Sequence, residues 1–151
     1  MIASYYKRND YSYRIVNCPK LKSIQIGFES FQDYHSFELN NLPSLQSIVI
    51  GDWCFGKVRV FELDGLCELE SVEIGRDSFM IRFGYDERND GSYRIVNCPK
   101  LKSIQIGFRS LQDYHSFEMN NLPSLQSIDI GYRSFYWAPL FSLTGLIDGM
   151  V

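Results

Sequence analysis

Apolar and polar residues alternate along this chain in short bursts with a period of two. The clearest burst is Ser-Ile-x-Ile-Gly, at 23–27, 47–51, 103–107 and 127–131, with Ser-Val-Glu-Ile-Gly at 71–75. Each puts two branched residues on one side and a variable residue on the other, which predicts a strand. A second burst, ring then polar then aliphatic, falls at 36–39, 60–63, 92–95, 116–119 and 140–143 and predicts strands on an opposite wall. Between the two bursts an Asn or Gly stands before a Leu or Cys, at Asn17, Asn41, Gly65, Asn97, Asn121 and Gly145. These residue types accept positive φ, so a left-handed turn is expected there. Pro19, Pro43, Pro99 and Pro123 follow closely and rule out a long helix.

The bursts recur because the chain repeats itself. Shifted by 80 positions, residues 13 to 51 match residues 93 to 131 at all but four places: Glu29/Arg109, Phe31/Leu111, Leu39/Met119 and Val49/Asp129. Within each copy runs a shorter period of 24, marked by Leu21, Leu45, Leu69, Leu101 and Leu125, with one longer step of 32 between Leu69 and Leu101. Periods of this size signify a solenoid. The domain plan is an N-terminal lead over 1–12 and one solenoid over 13–151. The solenoid divides into a first copy at 13–79, an inserted surface loop at 80–92 and a second, truncated copy at 93–151.

Stacking the units places like residues above one another. One wall supplies the Leu row, two branched rows and the row Phe31, Phe55, Phe79, Leu111 and Phe135. The other supplies Tyr13, Phe37, Phe61, Tyr93, Phe117 and Phe141, an aliphatic row from Ile15 to Leu143, and Cys18, Leu42, Leu66, Cys98, Leu122 and Leu146. At about 1.5–3 kcal/mol per fully buried large side chain, these rows supply tens of kcal/mol against backbone entropy. The fold thus absorbs most of the hydrophobic residues, and the aromatic content of 15% finds its place in the ring rows.

The spacing Leu-x-x-Ile-x-Ile followed by an apolar residue resembles the leucine-rich repeat superfamily over nearly the whole chain. The stretch Ile50-Gly51-Asp52-Trp53-Cys54-Phe55 and its siblings is similar to the Ile-Gly-x-x-Ala-Phe of the BspA-like type. The resemblance implies a mainly β, right-handed solenoid with a parallel concave sheet, short convex strands and little helix. The chain departs from the family at its Asn position, held here by Glu29, Trp53, Asp77, Arg109 and Arg133, so no Asn ladder is expected. The neighbouring Ser30, Cys54, Ser78, Ser110 and Ser134 are placed to bond to backbone instead. The convex side also reads as strand where many relatives have helix.

The chain has 151 residues and a net charge of −3, which removes the general attraction to phosphate backbones, so nucleic acid is not an expected partner. Apolar runs are too short for a membrane span, and the first residues lack a secretion signal, so a cytoplasmic location is expected. Surface display of a longer parent stays open. No motif for a metal, a cofactor or a nucleophile appears, and His35 and His115 recur at one turn of each copy, where a surface or capping role is expected. Enzymatic activity is not expected and no cofactor is called for. Cys18 and Cys98 sit in a Leu row and read as buried thiols. Cys54 and Cys67 lie in adjacent units, which leaves a disulfide open, with free thiols the preferred reading.

What remains is surface. The exposed phase of the sheet is Ser23, Ser47, Ser71, Ser103 and Ser127, then Gln25, Val49, Glu73, Gln105 and Asp129. Just past it come Phe28, Asp52, Arg76, Phe108 and Tyr132. Rings beside polar groups characterise protein interfaces. The candidate partner-binding residues are Gln25, Phe28, Asp52, Arg76, Gln105, Phe108, Asp129 and Tyr132, although Phe28 and Phe108 could instead cover the glycine turn. The leading expectation is a non-enzymatic module that binds a protein through its sheet face. The alternative is a self-associating or duplicated scaffold, joined through uncapped ends at Ile24, Ile26, Ile128 and Ile130 into a closed dimer or a head-to-tail array.

Overall fold

A computed structural model describes residues 11–80, 91–136 and 140–145. The segment 81–90, most of the expected loop, lies outside them, as do residues 1–10 of the lead and 146–151. Eleven strands follow one another: β1 Tyr11–Val16, β2 Ser23–Ile26, β3 Tyr34–Asn40, β4 Ser47–Ile50, β5 Val60–Asp64, β6 Ser71–Ile74, β7 Gly91–Val96, β8 Ser103–Ile106, β9 Tyr114–Asn120, β10 Ser127–Ile130 and β11 Leu140–Thr144. The chain is mainly β, with no helix among the described residues, and its parallel sheets stack as a β-solenoid. Strand β1 opens inside the expected lead and β7 inside the expected loop, because Ser12 and Ser92 pair across to Ser36 and Ser116.

The even-numbered strands form one wall, in the order β10-β8-β6-β4-β2, paired in register with each Ile or Val over its counterpart. The odd-numbered strands form the second wall, which is split into β1-β3 and β11-β9-β7-β5. Between β3 and β5 there is no ladder. The break falls where Gly65 replaces asparagine in the turn row, although Gly145 does so too and β11 before it pairs β9 in full. Asn41 donates a side-chain hydrogen bond to Asn17 at 2.8 Å and Asn121 one to Asn97 at 2.9 Å, while Asn97 donates to the Asp64 carboxylate at 2.9 Å. An interrupted asparagine row therefore exists at a position other than the family's Asn position, which holds no asparagine here. It sits at the opposite turn, where φ at Asn17, Asn41, Asn97 and Asn121 lies between 54° and 57°.

The core between the walls holds two aromatic columns. Within a column rings stack face to face, as in Phe55–Phe79 at 5.0 Å and Phe61–Tyr93 at 4.9 Å. Between columns they meet edge to face, as in Phe61–Phe79 at 5.0 Å and 77°. The edge-to-face contacts suit the ring quadrupole, and the parallel stacks follow from the strand register that sets ring over ring. The column from Phe31 to Phe135 is built on left-handed backbone: φ is 56° at Phe31, 55° at Phe55, 54° at Phe79, 56° at Leu111 and 53° at Phe135. That conformation costs a non-glycine residue about 1–2 kcal/mol. Burying the ring returns about 1.5–3 kcal/mol and so offsets that cost; the same conformation recurs two residues earlier, at Glu29, Trp53, Asp77, Arg109 and Arg133, with φ between 54° and 63°.

The serine row behaves as its spacing suggests. The Ser78 hydroxyl donates to the Gly51 carbonyl at 2.8 Å and accepts from the Cys54 amide at 3.0 Å, and Ser110 repeats the pattern one unit on. Cys54 stands in for serine, its thiol donating to the Gly27 carbonyl at 3.0 Å. Successive turns come so close here that a Cβ on Gly75 would lie 2.5 Å from the Gly51 carbonyl carbon. Only glycine fits. The result is a side-chain-free strip along the stack.

Candidate functional site

The strand pleat and the glycine that follows it determine which side chains face out of the five-stranded wall. Ile24 and Ile26 turn inward and are buried, so Gln25 turns outward, and the ladder sets it beside Val49, Glu73, Gln105 and Asp129 in sequence. Of these, Val49 is half-buried and the other four are exposed. Beyond the glycine strip the next row rises as a ridge. Phe28 is 63% exposed and Tyr132 73%, while Asp52 and Phe108 are half-buried and Arg76 is exposed.

The ridge has two parts. Near its first end, Asp52 holds Arg76: one carboxylate oxygen accepts from Nε and Nη2 at 3.2 Å each and the other from the Arg76 amide at 2.7 Å. Phe28 stands at this end without a ring neighbour in the ridge. In the second copy the rings of Phe108 and Tyr132 stack at 6.1 Å. Arg109 lies over Phe108 at 5.1 Å and Arg133 over Tyr132 at 5.5 Å. Such contacts hold a cation against a ring face with about 0.5–1 kcal/mol at exposed sites. Arg109 is held further by Asp77, a buried carboxylate 2.7 Å from its Nε.

The structure thus brings Phe108 and Tyr132 together and joins Asp52 to Arg76, while Phe28 stands on the turn adjoining Asp52, away from the other two rings. Arg109 and Arg133 belong to the cluster and were not among the expected residues. Their signal was in the sequence: Arg109 is one of four differences between the copies, and Arg133 holds the equivalent turn one unit on.

Ion pairs run along the other surfaces. On the second wall Arg94 lies between Glu62 at 2.6 Å and Glu118 at 3.0 Å, and Arg14 meets Glu38 at 2.9 Å. Lys100 and Lys102 meet Glu68 and Glu70 at 2.8 and 2.7 Å. The hydrogen bond from Lys102 holds the Glu70 carboxyl below its usual range. No group of His, Cys, Asp and Glu suited to a metal ion occurs among the described residues. The four cysteines are free. Cys54 is buried in the serine row and Cys67 is exposed at the far turn, so the disulfide left open between them does not form. Burial pushes the Cys98 thiol up to about 11, far from a reactive thiolate.

Among the described residues, two buried side-chain polar atoms stand without a hydrogen-bond partner, the Tyr93 hydroxyl and Oδ1 of Asp113. Burial raises the pKa of both side chains. His35, exposed, and His115, half-buried, lie in strands β3 and β9 rather than at the turn expected for them. Among the described residues no helix is long and apolar enough to cross a membrane. Comparison with family profiles, curated proteins and solved structures returned no match.

Proposed function

We propose that this chain is a non-enzymatic binding module that takes a protein partner on its five-stranded wall and on the ridge of rings and arginines beside it. One observation carries the reading. Of the four differences between the two copies, Phe31/Leu111 and Leu39/Met119 fill the core, whereas Glu29/Arg109 and Val49/Asp129 lie on this wall and its following turn. The surface of the second wall is unchanged across the duplicated stretch. Change confined to one face is what diversification of a contact surface produces. Aromatic residues and arginine are also the types that dominate binding energy at interfaces.

The leucine-rich repeat superfamily remains the assignment we favour, with a right-handed coil and this wall as the concave sheet. It is supported by the Leu-x-x-Ile-x-Ile spacing and by the left-handed turn at each Asn or Gly. Four free thiols support a reducing compartment such as the cytoplasm.

The test begins with a partner captured on the immobilised chain and measured by titration calorimetry. The triple variant Phe108→Ser, Tyr132→Ser, Arg133→Ser is expected to weaken it at least tenfold, the scale on which hot-spot residues act. Glu118→Gln on the opposite wall is expected to leave it unchanged. The reverse pattern would move the site to the second wall.

A further inference from the structure

We infer that the outer edge of β11 receives β1 of a second copy, so that chains stack head to tail along the second wall in the register already used by β5 and β7. This rests on different residues from the partner face and stands or falls separately.

The joint is already present inside the molecule. Strand β11 occupies in the second copy the place of β5 in the first, 80 positions earlier, and residues 12–16 are identical to residues 92–96 in β7. Within one chain β5 and β7 pair in parallel, with Glu62 opposite Arg94, Leu63 opposite Ile95 and Asp64 opposite Val96. The Gly65 amide closes the pair on the Val96 carbonyl at 3.2 Å. Carried forward by 80, this sets Ser142 opposite Arg14, Leu143 opposite Ile15 and Thr144 opposite Val16 of the second copy, with the Gly145 amide donating to the Val16 carbonyl. Both φ values fit: Gly65 is at 67° and Gly145 at 62°.

The two edges also show what such a joint would cover. Leu63 and Ile95 are fully buried at the internal junction, whereas Leu143 is 41% exposed and Ile15 half-buried. Arg94 is flanked by Glu62 and Glu118. Arg14 meets Glu38, and among the described residues no strand lies on the other side of β1.

The five-stranded wall does not carry the contact. Among the described residues β11 adds a layer to the second wall beyond β10, and β1 is a layer before β2. Placing β10 directly against β2 of a neighbour would force β11 and β1 into one layer. With β11 on β1, the strands β10 and β2 stand two layers apart, as β4 and β8 do within the chain, but the layer that β6 fills there has no described strand at the joint. Ile24, Ile26, Ile128 and Ile130 are then not the joint. Ile24 and Ile26 are in any case already buried, and only Ile130, at 36%, is exposed.

Sedimentation velocity on the 151-residue chain, from low to high micromolar concentration, tests the inference. The average mass is expected to climb from 17.6 kDa past that of a dimer, because a head-to-tail contact does not close on itself. Ser142→Glu would give Arg14 of the neighbour the second carboxylate that Arg94 has, and should lower the concentration of half-association about two- to fivefold. Ser142→Lys should raise it by a similar factor, and Leu143→Arg should abolish association while the circular dichroism stays that of the parent. A strict monomer throughout, a closed dimer, or equal behaviour of the Glu and Lys variants would each overturn the inference.

Discussion

Residues 13–28 and 93–108 have the same sequence, yet they live in different surroundings. Tyr13 is half-buried, stacked on Phe37 on one side only, while Tyr93 is sealed between Phe61 and Phe117. Cys18 and Leu21 are half-buried, and Cys98 and Leu101 fully buried. Asp33 sits in solvent and meets Lys57 at 2.6 Å, while its twin Asp113 is only 7% exposed, with one oxygen unpaired. In a stack, a residue's environment is set by the layers on either side of it. A side chain of fixed identity therefore changes role with its distance from the end.

Paired substitutions test this directly. The largest contrast is expected at the leucines. Leu101→Ala should lower stability by about 2–5 kcal/mol, the usual range for a cavity in a closed core. Leu21→Ala should lose about half as much, because its side chain has less to leave behind. Urea unfolding followed by tyrosine fluorescence measures both, and equal losses would break the comparison.

The aspartates should differ in sign. The hydrogen bond and charge of Lys57 hold the Asp33 carboxyl below its usual range, so the native state gives up that proton more readily than the unfolded chain. The pair's contribution is present above the ordinary carboxylate pKa and is lost as pH falls through the depressed value. Asp33→Asn should thus cost about 0.2–1 kcal/mol at neutral pH and nothing in acid. Burial raises the Asp113 carboxyl, so the native state keeps its proton longer and stability falls as pH rises through the carboxylate range. Asp113→Asn should stabilise by about 1–2 kcal/mol at neutral pH and leave acid stability unchanged. Unfolding midpoints at pH 3 and pH 7 separate the two. The smallest contrast is between tyrosines: Tyr93→Phe removes an unpaired buried hydroxyl and should gain about 1 kcal/mol, and Tyr13→Phe should change nothing measurable.

Much of this architecture can be read directly from the letters, because stacking demands the same residue type at the same height. The Ser-Ile-x-Ile-Gly bursts became β2, β4, β6, β8 and β10, with Val72 replacing one Ile, and each Asn or Gly before Leu or Cys marked a left-handed turn. The left-handed rings were not legible, since local propensity steers Phe55 and Phe79 away from the very conformation that their burial enforces. Nor was the missing ladder between β3 and β5, where Phe37 and Phe61 still stack at 5.3 Å and the sequence period runs on unbroken. At the candidate site, the pleat revealed which residues face outward. It did not reveal that Arg109 and Arg133 lie over Phe108 and Tyr132, because that depends on how adjacent turns lean against each other.

The left-handed rings have one more implication, for how the chain acquires its structure. A ring such as Phe55 brings its backbone penalty as soon as its own turn forms, whereas the compensation exists only once Phe31 and Phe79 lie against it. A unit taken alone therefore keeps this penalty with few turn hydrogen bonds to set against it, and the ring-on-ring contacts between layers belong to the boundary between units. In a one-dimensional lattice those are the conditions for strong nearest-neighbour coupling. The critical nucleus must span several turns, growth from it is downhill, and a stack of one or two layers has no stable existence. A chain assembled from near-copies of one short segment thus folds as a single event, its modular sequence hidden from any equilibrium measurement.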